Sequence, residues 1–370
     1  MKFKHMLVEL IENKGSDLHL RVGVPPIIRL HGLLSPIGEE RLSVEDMNAI
    51  LDQILTPNQK QRFETTREMD LALSVSKLGR FRINIFRQRG TPSIALRTVN
   101  TEVPSFEELN LPNAMMDISE SRRGMIVVTG TTGSGKSTTL ASLIEHINSS
   151  RAENIITIED PIEYVYRDRQ SFISQREVGA DTGSYTAALR AAFRQDPDVI
   201  LIGEVRDMDT MNIALTAADT GHLVLTTLHT LNAVETINRM ISFFPPHQHD
   251  QIRLLLSGTL ESIISQRLVP RSDIPGRVPA VEILRSTASI RDAILDPEKT
   301  GTILELIEGG HVQYGMQSFD QSIMQLYRQG VISYQDALSY TTNPDDFELR
   351  IKGITGAADR GWSEFQKDSS

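Results

Sequence analysis

The sequence predicts an α/β protein: an α+β N-terminal domain, then an open-sheet nucleotide-binding domain with a helical C-terminal extension. Three observations carry this. A complete phosphate-binding loop, Gly130-Thr131-Thr132-Gly133-Ser134-Gly135-Lys136-Ser137-Thr138, joins an apolar strand-like run to a helix-like run. From Met125 onward, short and nearly all-apolar segments alternate with helical patterns, as in a parallel sheet covered on both faces. Before Asn100, short segments with partial alternation accompany helical patterns instead.

In chain order, Met6, Leu7, Leu10 and Ile11 recur at helical spacing. Asp17–Arg21 and Pro26–Leu30 read as strands. Ser43 is placed as N-cap of a helix carrying Met47, Ile50, Leu51 and Ile54. Asp70–Val75, Arg80–Phe86 and Ser93–Val99 read as strands. Pro and Asn punctuate the stretch from Asn100 to Pro112, a linker signal. Strands are predicted at 125–129, 154–159, 198–203 and 222–228, and a helix over 248–268, with Ile252, Leu255, Leu256, Leu260, Ile263 and Ile264 along one side. Arg277–Leu284 reads as a late strand. From about residue 287 the pattern is mostly helical, and the last residues, which contain the single tryptophan Trp362, read as a loose polar tail.

The chain has 370 residues, enough for two or more domains. A formal charge of −10 and the lack of a basic tail argue against a nucleic-acid partner. The sequence contains no cysteine, so disulfides and thiolate metal sites are ruled out. The histidines show no zinc-binding spacing. The opening residues do not read as a signal peptide, and no apolar run approaches the roughly 20 residues that span a bilayer. A cytoplasmic protein without direct membrane insertion is the expectation.

Each loop position has a chemical reason. Gly130, Gly133 and Gly135 let the backbone turn so that several N–H groups converge on phosphate oxygens, and the following helix N-terminus adds partial positive charge. Thr131, Thr132, Ser134 and Thr138 complete the cradle. Lys136 reaches the β- and γ-phosphates, and the Ser137 hydroxyl ligates Mg²⁺. ATP and Mg²⁺ are the implied ligands.

A nucleotidase also needs acids to hold the metal and orient water. Val199–Glu204 ends an apolar strand in a carboxylate, with Gly203 where an Asp is often found. Glu204 is therefore the candidate for the Mg²⁺ shell. Ile155–Tyr164 is a second strand closing in acids, at the strand end where open α/β sheets bind ligands. Glu163 is favoured to polarise the attacking water, with Glu159 and Asp160 in support; by residue type alone a solvated acidic loop fits equally well. His222 and His229 stand seven apart in the run Gly221–Thr230, and in a strand residues at that spacing point to opposite faces. His229, at its C-terminal end beside Thr226 and Thr227, could hydrogen-bond a γ-phosphate.

Four blocks together resemble the Walker A, Asp box, Walker B and His box of the secretion ATPases (GspE/PilT family), which power type II and type IV secretion and type IV pili. They are residues 130–138, Thr157–Tyr164, Asp196–Arg206 and Thr220–Thr230. Gly15–Leu20, Gly79–Asn84 and Gln175–Gly179 extend the likeness across most of the chain. Within the superfamily the chain is most similar to the PilT-like type IV pilus retraction ATPases. Assembly and type II secretion ATPases typically carry a tetracysteine zinc insertion, for which this chain has neither cysteine nor room between Pro270 and Val278. Retraction enzymes often carry an Ala-Ile-Arg-Asn-Leu-Ile-Arg-Glu-like helix; Ser289–Asp296 keeps only its Ile290-Arg291 core, and the tail extends past the typical end. An accessory PilU-like retraction ATPase is thus the alternative, with a nucleic-acid-translocating RecA-like motor as the remoter one.

The resemblance implies a PAS-like domain over 1–100, a linker over 101–120, a RecA-like P-loop ATPase core over 121–285, and a helical C-terminal region over 286–370. It implies a homohexamer with nucleotide between the domains, completed by a neighbouring subunit. It makes Glu163 the water-activating base, Glu204 the Mg²⁺-associated acid, His229 a γ-phosphate sensor and His222 a further family-type position. It also supplies arginines from the N-terminal domain: Arg82 and Arg97 first, then Arg80. Arg190 and Arg194, four apart before the Walker B strand, fit a subunit interface or a solvated face. The implied output is pilus retraction and twitching motility. The implied partners are the inner-membrane platform protein, at the cytoplasmic face, and a paralogous pilus ATPase.

Overall fold

The computed structural model describes residues 3–30 and 32–352; the tail containing Trp362 lies outside them. The chain divides into two compact units, Met1–Glu102 with Ile162–Val165, and Val103–Pro161 with Tyr166–Ser370.

The first unit holds an antiparallel sheet of strands β1 (Asp17–Arg21), β2 (Ile27–Leu30), β3 (Leu33–Pro36), β4 (Glu68–Val75), β5 (Gly79–Gln88) and β6 (Thr91–Thr98), in the order β3-β2-β1-β6-β5-β4. Helices α1 (Phe3–Glu12), α2 (Val44–Ile54) and α3 (Pro57–Thr66) bury Met6, Leu10, Met47, Ile50 and Phe63 in one core with Leu18, Phe81, Ile83, Ile85 and Leu96 of the strands. Ser43 caps α2 through a capping box with Asp46, as its position before the apolar run predicts. Two elements, β3 and α3, were not legible in the pattern. α3 buries only Phe63, so it has no apolar stripe; its ends define it, with a Thr56–Gln59 capping box, Pro57 in the first turn and Arg67 at φ 63° closing it.

The second unit is built on a seven-stranded sheet ordered β13-β12-β7-β11-β10-β8-β9. Its strands are β7 (Gly124–Thr129), β8 (Asn154–Glu159), β9 (Phe172–Glu177), β10 (Val199–Ile202), β11 (Leu223–Leu228), β12 (Leu260–Pro270) and β13 (Arg277–Arg285). All neighbours are parallel except the β12–β13 pair. Alternate residues feed two cores: Met125, Val127, Ile156, Ile158, Ile200 and Ile202 on one face, and Ile126, Val128, Ile155, Val199 and Leu201 on the other. Burial on both faces is why these strands read as continuous apolar runs. Helix α4 (Ala114–Ser119) falls in the stretch assigned to the linker, and its Met115 and Ile118 join the second core.

Helices α5 (Lys136–Ser150), α6 (Tyr185–Ala192), α7 (Met208–Asp219), α8 (Ala233–Ser242) and α9 (His249–Thr259) surround the sheet. The helix predicted over 248–268 is corrected: it stops at Thr259, and Leu260 begins β12. Ile263 and Ile264 satisfy a helical stripe and a doubly buried strand alike. Pairing with β7 on one side and β13 on the other decides for the strand. Beyond β13 come α10 (Ala288–Leu295), α11 (Ile303–Gly309), α12 (His311–Tyr314), α13 (Phe319–Arg328), α14 (Tyr334–Tyr340) and α15 (Pro344–Ile351). Phe319, Ile323, Ala337 and Phe347 of this region pack on Val269, Val278 and Ala280.

Candidate nucleotide site

The phosphate-binding loop leaves the C-terminal end of β7 and enters α5 at Lys136. Gly130 sits at φ 144°, and a Cβ there would lie 2.4 Å from Gln266 O and 2.5 Å from Ser134 Oγ. Gly135, at φ 93°, would place a Cβ 2.8 Å from Gln266 Nε2. Both positions therefore exclude a side chain by conformation and by space. No side chain caps α5, so the N–H groups of its first turn face the loop's own mouth, an arrangement suited to an anion.

Lys136 is only 8 % exposed. Its Nζ donates to Gly130 O (2.8 Å) and Thr131 O (2.9 Å), which fixes the ammonium over the loop. Burial lowers its pKa from the ordinary value, while the nearby Glu204 carboxylate pulls the other way. Ser137, one residue further, is exposed and available to a ligand.

Glu204 follows β10 and stands at the same C-terminal end of the strands as the loop after β7. Arg206 donates to Glu204 Oε1, and His229 Nε2 lies 3.6 Å from Glu204 Oε2. His229 follows β11 and its side chain is half exposed. Thr227 Oγ1 donates to Gly203 O at 2.7 Å, tying the ends of β10 and β11 together. Glu159, buried at the end of β8, accepts from Thr157 (2.7 Å) and Gln175 Nε2 (3.2 Å). Lys136, Glu204, His229 and Glu159 thus gather at the C-terminal ends of parallel strands, where such sheets bind ligands.

Within the protomer, His222 is not brought to this cluster. It precedes β11 at the opposite strand end. There its Nδ1 lies 3.0 Å from Ala217 O and 3.2 Å from Thr220 Oγ1, and its ring meets Phe193 edge-on. A strand six residues long spans about 20 Å, too far for one phosphate group to meet both histidines.

In the first unit, Phe81 and Ile83 of β5 point into the core, so Arg80 and Arg82 share the other face. Arg97 on β6 is the direct cross-strand partner of Arg82. The three candidate arginines therefore cluster. Arg97 Nε donates to Asp17 Oδ1 at 2.8 Å. Burial alone would raise the Asp17 pKa, but hydrogen bonds from Ser16 and Arg97 outweigh it and hold the carboxyl below its ordinary value. Glu163 is exposed on the segment Ile162–Val165, which packs with this unit: Tyr164 bridges to Asn100, and Val165 N–H donates to Asn100 O at 2.9 Å.

Sequence reasoning missed Gln266 and Tyr185. Gln266 on β12 is buried beneath the loop and accepts from Thr139 Oγ1 at 2.8 Å. Its neighbour Ser265 accepts from Thr129 Oγ1 at 3.0 Å. The available signal was a polar pair interrupting an apolar run, hidden by the helical reading. Tyr185 opens α6, and its hydroxyl reaches the space beside Gly203.

A phosphate-binding loop on a parallel sheet, faced by strand-end acids, defines a P-loop nucleotide-binding protein. The chain belongs to the type II/IV secretion system protein family, whose model matches residues 2–326. It is 40% identical over 354 residues to the type IV pilus ATPase PilU of Pseudomonas aeruginosa, covering 95% of this chain and 92% of that one. It is 39% identical over 347 residues to the type IV pilus retraction ATPase PilT of the same organism, covering 94% and 100%. The crystal structure of the pilus retraction motor PilT with bound ADP matches with a TM-score of 0.86 and 42% identity, covering 94% of this chain and 99% of that one. The protein is a PilT-like ATPase of the pilus retraction type, and it binds nucleotide.

Proposed function

We propose that the protein is a hexameric ATP-hydrolysing motor that retracts a type IV pilus by acting on the inner-membrane platform protein. The observation that carries the reading is the convergence of Lys136, Glu204 and His229 at the C-terminal ends of neighbouring strands, with Lys136 fixed over the loop carbonyls. The loop N–H groups and Lys136 bind the phosphates. Glu163 orients the attacking water, and His229 contacts the γ-phosphate. Arg82 and Arg97, with Arg80 beside them, reach the nucleotide of a neighbouring subunit and stabilise the charge that develops during transfer. Hydrolysis removes those contacts and releases the arginines, so closure and reopening follow the nucleotide state.

The donor set fits Mg²⁺. Among the described residues no group of three His, Asp or Glu side chains could hold a metal alone. Mg²⁺ is commonly held by one or two protein oxygens, water and substrate phosphates. Ser137 Oγ and, through water, Glu204 would hold it, and it would neutralise charge on the transferred phosphoryl group.

Among the described residues no helix is long and apolar enough to cross a membrane; attachment to the inner membrane's cytoplasmic face runs through the platform protein in this reading. Similarity to PilU and PilT is nearly equal, so the accessory retraction ATPase stands as the second reading. The test is ATP hydrolysis measured alongside native mass for wild type, Glu163→Gln and Arg82→Ala. Activity confined to a hexamer and reduced at least a hundredfold in both variants is the expected result. Equal hydrolysis by a monomer, insensitive to Arg82, would remove the ring mechanism.

A further inference from the structure

Gly203 stands at the end of β10, where a P-loop enzyme often carries an acid. A Cβ built on Gly203 would lie 3.0 Å from Tyr185 Oη, and 3.4 Å from both Glu159 Cα and Ile158 O. The phenol hydroxyl therefore occupies the space that a side chain at this position would enter. The ring of Tyr185 packs against the sheet core, which fixes where the hydroxyl stands. Among the described residues the hydroxyl has no hydrogen-bond partner in the protein. Asp160 and Glu204 are the charges that bear on it most strongly, followed by Arg206 and Glu159.

We propose that Tyr185 is a positioning residue for ATP hydrolysis: its hydroxyl stands in for the side chain that Gly203 lacks and donates into the water shell of Asp160 and Glu204. A hydroxyl has one hydrogen to donate, and carboxylates accept only, so the polarity of the arrangement is set. The phenol also stays protonated. Burial first, then Asp160 and Glu204, push its pKa up from the ordinary value, so it is a donor throughout the working pH range. An ordered water shell costs no reorganisation when charge moves to the phosphate oxygens, which is how a fixed donor raises turnover without tightening nucleotide binding.

The inference rests on the ATPase reading above. Its test is Tyr185→Phe, which keeps the ring and its packing and deletes only the hydroxyl. The expected result is kcat about tenfold lower with KM for ATP and melting temperature unchanged. Gly203→Ala supplies a second route, since its Cβ crowds the hydroxyl. It should lower kcat in the wild-type background and have little further effect in the Tyr185→Phe background. Unchanged kcat in Tyr185→Phe, or a fall accompanied by equal changes in KM and melting temperature, would overturn the proposal while leaving the ATPase reading intact. A wild type that does not hydrolyse ATP would overturn both.

Discussion

Gly130 cannot carry a side chain. Its φ of 144° lies in a region open to glycine, and the space a Cβ would need is filled by Gln266 O and Ser134 Oγ. Gly130→Ala must therefore shift β12 or the loop, and either movement disturbs the carbonyl that anchors Lys136. The expected outcome is a loss of about 2–4 kcal/mol in urea unfolding and of measurable binding of a fluorescent ATP analogue. A variant that bound the analogue normally would show that β12 and the loop yield to a Cβ without losing the phosphate cradle. The loop glycines, Lys136 and Ser137 were legible in the sequence because their chemistry is local: each requirement is met within nine consecutive residues. Gln266 and Tyr185 were not. One lies more than a hundred residues from the loop, and only strand pairing brings it beneath Gly135. The other needed the distance across Gly203 to be known.

Glu282 shows how whole elements are tied around the site. It lies on β13, opposite Ser265 on β12, and accepts the Ala233 N–H at the start of α8 at 2.8 Å. That helix follows directly on the loop that carries His229. Burial raises the Glu282 pKa to about 7. The Ala233 hydrogen bond and Arg267 work against that rise, and Asp320 adds to it. The native state therefore holds this proton over a pH range where the unfolded chain, with an ordinary value of 4.5, has lost it. Glu282 contributes stability at low pH that is lost as pH rises from about 4.5 to about 7, with little further change above. Glu282→Gln removes the titrating carboxyl and keeps an acceptor for Ala233. Relative to that variant, wild type should lose up to about 3 kcal/mol between pH 5 and pH 8, read from paired urea denaturation curves. Parallel curves would mean that Glu282 keeps an ordinary titration.

The chain's two units assign the proposed catalytic groups to different bodies: Lys136, Glu204 and His229 to one, Arg82, Arg97 and Glu163 to the other. If sites are completed by a neighbouring subunit, two dead proteins can rescue each other. Lys136→Ala and Arg82→Ala should each lack activity, while a mixture assembled from both should recover a fraction of wild-type hydrolysis, roughly a quarter at equal proportions. A mixture as inactive as its components would place phosphate loop and arginine in the same subunit's site. By itself the sequence determined the phosphate-binding loop, the parallel-sheet core that carries it and the strand-end acids, because each rests on neighbouring residues whose types answer a local physical demand. Only the tertiary structure decided that 260–270 is a strand, that His222 lies at the far end of β11, that Gln266 braces the loop and that Tyr185 fills the space at Gly203. Those outcomes depend on which distant segments pair. An apolar stripe does not encode its own partners: Ile263 and Ile264 satisfy a helix and a buried strand equally well until β7 and β13 supply hydrogen bonds on both sides.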